Sequence, residues 1–102
     1  MYRFYTTNEF DIWLSQQTVK LRGQIQSRLE RILHYDHFGD SKILDHNLSE
    51  LRWKNGTRIY FAITKNENNE IIILLLGGNK NSQKKDINRA KNLMQELVYE
   101  KI

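Results

Sequence analysis

The chain contains no cysteine and no proline among its 102 residues. Without cysteine there are no disulfide staples, thiol nucleophiles or cysteine-based zinc sites, so stability must come from packing and chemistry from charged groups. Without proline there is no rigid linker. The longest uninterrupted apolar run is Ile71 to Leu76, far short of the roughly 20 residues that span a bilayer as a helix. The opening MYRFYTTNEF carries no apolar stretch of the signal-peptide kind. The expectation is therefore a cytoplasmic protein with no membrane association. A hydrophobic content of 39% is too high for disorder, and the length supports one core, so residues 1–102 are read as a single domain.

Sixteen Lys and Arg stand against twelve Asp and Glu, a net charge of +4. The signs are segregated: from Arg52 to Lys91 nine bases face three acids, a local +6 that leaves −2 for the remainder. A basic half of this kind points to a polyanionic partner, nucleic acid foremost.

Alternation at Tyr2 and Phe4 reads as a short opening strand, after which Thr6, Thr7 and Asn8 are cap candidates for a helix carrying Phe10, Trp13 and Leu14. A second helix fits Thr18 to Tyr35, because Leu21, Ile25, Leu29, Ile32 and Leu33 recur at helical spacing. After a turn around Gly39, Lys42 to Asp45 is a candidate brief strand, and the meander strands are expected at Leu48 to Lys54, Thr57 to Thr64 and Glu70 to Leu76. The last is apolar on both faces and belongs in the centre of the sheet, with the polar loop Lys65 to Asn69 before it. Ser82 can cap a final helix with the stripe Ile87, Ala90, Met94, Leu97 and Val98. The class is α+β, in the order β-α-α-β-β-β-α, with the helices gathered against one sheet face.

Asn55-Gly56 signals a hairpin, and the loop length decides which side chains share a face. A two-residue loop pairs Trp53 with Arg58 and mixes apolar with charged groups on both faces. A three-residue loop of Lys54, Asn55 and Gly56, with Gly56 left-handed, sends Leu51, Trp53, Ile59, Phe61 and Ile63 to the core. Glu50, Arg52, Arg58 and Tyr60 then gather on the other face, with Arg52 opposite Arg58. Opposed like charges repel by about 0.2–1 kcal/mol, so a negative group is expected there. Glu50, diagonal to Arg58, is one candidate. A phosphate is the other, since guanidinium forks match phosphate oxygens, and Tyr60 offers a ring for base stacking.

Gly77-Gly78-Asn79-Lys80 leaves the last strand before a helix, so its glycines allow backbone approach to a phosphate and Lys80 lands near the sheet end. It has neither the spacing of a P-loop nor the length of a dinucleotide fingerprint, which disfavours a nucleotide cofactor. Lys84, Lys85, Arg89 and Lys91 extend the charge along the helix. His34 and His37 fix no third metal ligand by spacing, and the serines show no nucleophile-elbow context.

The chain resembles type II toxins of the RelE and ParE superfamily, in the HigB-like group of phage-derived addiction-module killer proteins. The resemblance runs nearly its whole length: Phe10-Asp11-Ile12-Trp13-Leu14, Gly39-Asp40-Ser41-Lys42, Glu50-Leu51-Arg52, Gly56-Thr57-Arg58-Ile59-Tyr60-Phe61, and above all Leu74-Leu75-Leu76-Gly77-Gly78-Asn79-Lys80 with Gln83, Asp86-Ile87 and Ala90. It implies a compact domain of about four mainly antiparallel strands with two N-terminal helices and a C-terminal helix. It also implies ribosome-dependent cleavage of messenger RNA by the RNA's own 2′-hydroxyl, with no metal or cofactor. By position, Arg58 resembles the family's phosphate-binding arginine, Arg52 its partner, and Lys80 the basic residue after the last strand. Lys54, Tyr60, Lys84 and Lys85 are the accompanying RNA-binding candidates. The implied partners are messenger RNA on the ribosome and a HigA-like helix-turn-helix antitoxin that binds a monomeric toxin. Glu50 stands where RelE-type enzymes have lysine, and Asp86 or Ile87 where a C-terminal tyrosine is frequent, so the general base stays open between Glu50, Asp86 and neither. Two alternatives share the fold: a ParE-type toxin that poisons DNA gyrase, and an RNA-binding remnant without catalysis.

Overall fold

The computed structural model describes residues 2–65 and 70–100, the side chains of 98–100 excepted. Among these residues the chain forms β1 (Tyr2–Thr6), α1 (Asn8–Ser15), α2 (Val19–Tyr35), β2 (Ser41–Asp45), β3 (Leu48–Arg52), β4 (Thr57–Lys65), β5 (Glu70–Asn79) and α3 (Gln83–Glu100), with a 3-10 turn at Lys80–Ser82. The expected loop at 66–69 and the Val98 side chain lie outside the described residues.

Both early helices are capped by a threonine: Thr7, one of the three cap candidates, and Thr18, which stands just before the helix and not within it. The Thr7 hydroxyl accepts the Phe10 N–H at 3.0 Å and donates to the Leu75 carbonyl at 2.6 Å, so one side chain caps α1 and fastens it to β5. The Thr18 hydroxyl accepts the Leu21 N–H at 3.1 Å, and α2 closes where Asp36 turns left-handed at φ 56. Such N-caps contribute about 0.5–2 kcal/mol each. Asn79, not Ser82, caps the turn that leads into α3: its side-chain oxygen accepts from the N–H groups of Asn81 and Ser82.

The sheet order is β1-β5-β4-β3-β2. β2 to β5 form an antiparallel meander, whereas β1 lies parallel to β5 with Tyr2 opposite Glu70. The α+β class holds, but the sheet has five strands among the described residues and is mixed, not about four and mainly antiparallel. The candidate segment at Lys42 to Asp45 forms as β2 and adds the fifth strand, and the parallel pairing of β1 with β5 makes the sheet mixed. β5 is interior, flanked by β1 and β4, while the middle position belongs to β4.

Helices cover both faces, which corrects the expectation that they gather on one. Phe10, Ile25 and Ile32 from α1 and α2 pack against Leu51, Ile59, Phe61, Ile72 and Leu74. On the opposite face Ala90 and Leu93 of α3 cover Leu48, Tyr60, Ala62 and Leu75. A bulge in β5 makes this second face apolar enough. Tyr60 pairs with Leu76 but Phe61 pairs with Leu74, which leaves Leu75 as the extra residue. Leu75 and Leu76 therefore both turn toward α3, and alternation resumes with Gly77 on the α1 side beneath Trp13.

Candidate functional site

The turn between β3 and β4 sets the geometry. Gly56 has φ +99, which glycine adopts without steric cost. Its N–H reaches the Trp53 carbonyl at 3.0 Å, and the Trp53 N–H reaches the Thr57 carbonyl at 3.0 Å. Asn55 braces the loop by accepting the Thr57 N–H at 2.9 Å. This is the three-residue loop, and it puts Arg52 opposite Arg58 and Glu50 opposite Tyr60. β3 ends at Arg52 because the turn begins there.

Arg58 is 8% exposed, and its Nη1 donates to the carbonyls of Trp53 at 3.2 Å and Thr57 at 3.0 Å. Its Nε stands 3.9 Å from Glu50 Oε1, an ion pair too long to be a hydrogen bond. The Glu50 carboxylate, 1% exposed, instead accepts from Gln83 Nε2 at 2.8 and 3.1 Å. Among the described residues Arg52 Nε, Arg58 Nε and the Tyr60 hydroxyl are buried without a hydrogen-bond partner. Each such group costs about 1–3 kcal/mol. The acceptor beside them is the Glu50 carboxylate, which at 3.9 Å from Arg58 Nε falls short of a hydrogen bond.

Lys80 is carried to the same end of the sheet. Its N–H donates to the Gly56 carbonyl at 2.8 Å, and its aliphatic stem lies along Gly56, where an added Cβ would sit 3.5 Å from Lys80 Cγ. Lys84 and Lys85 are exposed on the first turn of α3, just beyond Lys80. Lys54 is exposed at the hairpin tip but lines a groove on the side of α2. The charge run does not continue down α3. Arg89 is bonded to Glu9 of α1, with its Nε at 3.0 Å, and Lys91 lies 3.4 Å from Asp45 on β2.

Two readings are corrected. Tyr60 is wholly buried beneath α3, so its ring is no stacking platform. Its hydroxyl is pushed well above the ordinary tyrosine range by burial, and further by the Glu50 and Asp86 carboxylates, with Arg58 opposing them. Gly77 and Gly78 do not open the backbone to a phosphate. They are strand residues opposite Ile59 and Arg58, and a Cβ at Gly77 would collide with the Trp13 ring and one at Gly78 with Asp86. The two candidate bases are already engaged, Glu50 with Gln83 and Asp86 with the Ser82 hydroxyl at 2.5 Å. The Gln83 clamp on Glu50 had no signal in the sequence, since it spans 33 residues.

No protein-family model matches the chain. A Haemophilus influenzae protein, described as an uncharacterized protein, is 42% identical over 93 residues, covering 90% of this chain and 92% of its own. In three dimensions the chain is similar to one from the crystal structure of the RelB-RelE antitoxin-toxin complex of Methanococcus jannaschii. The TM-score is 0.60 at 19% identity, covering 78% of this chain and 94% of that one. At this identity the likeness is one of fold.

Proposed function

The chain belongs to the same family as the uncharacterized Haemophilus influenzae protein, and we propose that it is the toxin of a type II toxin-antitoxin system, a ribosome-dependent messenger RNA endonuclease of the HigB-like group. The RelB-RelE likeness concerns a complex that holds both an antitoxin and a toxin. The toxin role is assigned on chemistry. The observation that carries it is the opposed pair Arg52 and Arg58 at one end of the sheet, whose Nε donors have no hydrogen-bond partner among the described residues, with Lys80 brought alongside.

In the proposed reaction the 2′-oxygen of a nucleotide attacks the adjacent phosphorus and the bond to the 5′-oxygen breaks. A 2′,3′-cyclic phosphate and a 5′-hydroxyl remain, and the proton lost from the 2′-oxygen is balanced by one gained at the 5′-oxygen. Arg52, Arg58 and Lys80 hold the phosphate and stabilise the charge that grows on its oxygens, the kind of contribution that preorganised donors make best. Lys84 and Lys85 extend the contact along the RNA. The partners of this reading are messenger RNA on the ribosome and a helix-turn-helix antitoxin of the HigA kind, acting on a cytoplasmic, monomeric toxin.

Reconstituted translation of a defined messenger, with new 5′ ends mapped by primer extension, tests the proposal. Cuts are expected only when ribosomes are present, and Arg52→Ala or Lys80→Ala should reduce them about 10²-fold or more. An intact messenger overturns it. Glu50, standing where RelE-type enzymes have lysine, leaves one second reading, a ParE-type toxin acting on DNA gyrase, for which a supercoiling assay is the direct test.

A further inference from the structure

We propose that the groove between α2 and the tip of the β3–β4 hairpin holds the sugar-phosphate backbone of an RNA strand, as a second contact on the sheet face opposite the Arg52–Arg58 pair. The inference rests on the RNA reading above and extends it to a site outside the reacting centre.

The groove encloses about 720 Å³, and its lining includes four cations, Lys20, Arg28, Arg31 and Lys54, together with Trp53 and Gly23, but no carboxylate. Lys20 and Arg31 stand eleven residues apart on one stripe of α2 with Gln24 and Ser27 between them, a row about 16 Å long at ~1.5 Å per residue. None of the four cations forms a salt bridge among the described residues. The floor is open at Gly23, where an added Cβ would meet nothing within 4 Å.

Arg28 is the anchored member of the set. Its guanidinium lies 4.1 Å from the Trp53 ring centroid, and Nη1 donates to the carbonyls of Arg52 at 2.7 Å and Asp40 at 3.4 Å. Burial and the nearby Arg31 push its pKa down, with Asp40 the opposing carboxylate. Arg52 thereby faces both ways: its carbonyl holds Arg28 on the groove side, and its side chain lies on the face that carries Arg58. Lys54 at the hairpin tip lines the groove side.

This chemistry suits a phosphodiester chain, which needs spaced cations. An acidic amphipathic helix needs an apolar trough as well, and here the one large apolar side chain in the lining, Trp53, is already covered by Arg28.

The test is a salt titration of the full-length protein with a fluorescein-labelled single-stranded RNA oligonucleotide, read by anisotropy. The double substitution Lys20→Ala with Arg31→Ala should weaken binding about tenfold and lower the log–log salt slope by about 1.4, the value for two lost phosphate contacts on a single strand. Gly23→Glu, which adds a negative charge where there is room, should weaken binding similarly, while Gly23→Gln should bind as the parent does. Folding of each variant is verified by circular dichroism. Parental affinity and slope in folded Lys20/Arg31 and Gly23→Glu variants, with the parent still cutting messenger, overturns the groove alone. Displacement of the labelled RNA by a polyglutamate peptide more readily than by unlabelled RNA overturns it in favour of an acidic protein partner. A parent that neither binds the oligonucleotide nor cuts messenger overturns both readings.

Discussion

Gly77→Ala is expected to be among the most damaging single-methyl changes in the molecule, although it adds no charge and sits within a strand. An alanine Cβ at Gly77 would fall deep inside three atoms of the Trp13 ring. Ordinary carbon–carbon contacts lie at about 3.5–4.0 Å, so the ring must retreat by more than an ångström. Trp13 packs on Phe10 with ring centroids 5.9 Å apart, and Phe10 is 1% exposed, which leaves the ring little room. Overpacking of this kind costs about 1–3 kcal/mol, or a fall in Tm of about 4–24 °C at the 4–8 °C per kcal/mol of a domain this size. Thermal unfolding followed by far-ultraviolet circular dichroism measures it. The same substitution at Gly23, mid-helix and open, should raise stability by about 0.5–1 kcal/mol. Trp13→Leu should couple to Gly77→Ala, so that the double variant is more stable than the sum of the two single effects by about 0.5–3 kcal/mol. Equal stability of Gly77→Ala and the parent would refute the reasoning.

Three further outcomes are expected. Gln83→Leu removes both hydrogen bonds from the buried Glu50 carboxylate and should destabilise the protein by about 1–3 kcal/mol, measured by urea denaturation. Tyr60→Phe removes a buried hydroxyl that has no partner among the described residues and should raise stability by about 1–3 kcal/mol, against a loss of about 3–5 for truncation to Ala. In the parent, Tyr60 and Tyr2 have raised pKa values, so each favours folding below pH 10 and that stability is lost as pH rises above it; the phenolate absorbance of these two tyrosines should therefore appear only on alkaline unfolding. The Arg89 hydrogen bonds hold the Glu9 carboxyl below its usual range, so their contribution is present above the ordinary glutamate pKa and lost as pH falls below it. Both side chains are more than a third exposed, which limits the contribution to about 0.2–1 kcal/mol; Glu9→Gln should abolish that part of the acid dependence of Tm.

The β3–β4 hairpin was legible in the sequence because a single constraint decides it: only the three-residue loop segregates Leu51 and Ile59 from Arg52 and Arg58, and the observed register is that one. The helix starts were legible to within a residue, since Thr6, Thr7 and Asn8 all can cap and only the structure selects Thr7, while Thr18 proves to be a cap and not the first helical residue. The position of α3 was not. Its second core depends on the bulge at Leu75, which adds an apolar residue to a run that already reads as apolar throughout. Tyr60 was misplaced with it, since alternation gives its face but not the helix that covers that face. Gly77-Gly78 carries the same letters whether a phosphate or a neighbouring ring fills the space, and Trp13, which fills it, lies in another element. The α2 groove has no signature in the sequence because its cations come from separate segments, Lys20 to Arg31 on one and Lys54 on another.

The central claim is that Arg52, Arg58 and Lys80 hold a phosphate while the RNA's own 2′-oxygen attacks it. The most direct measurement places a single 2′-deoxynucleotide on the 5′ side of a mapped cleavage position in a translated messenger. Cleavage at that position should disappear while neighbouring cuts persist; a deoxy-substituted messenger cut there as fast as the all-ribose one would contradict the account.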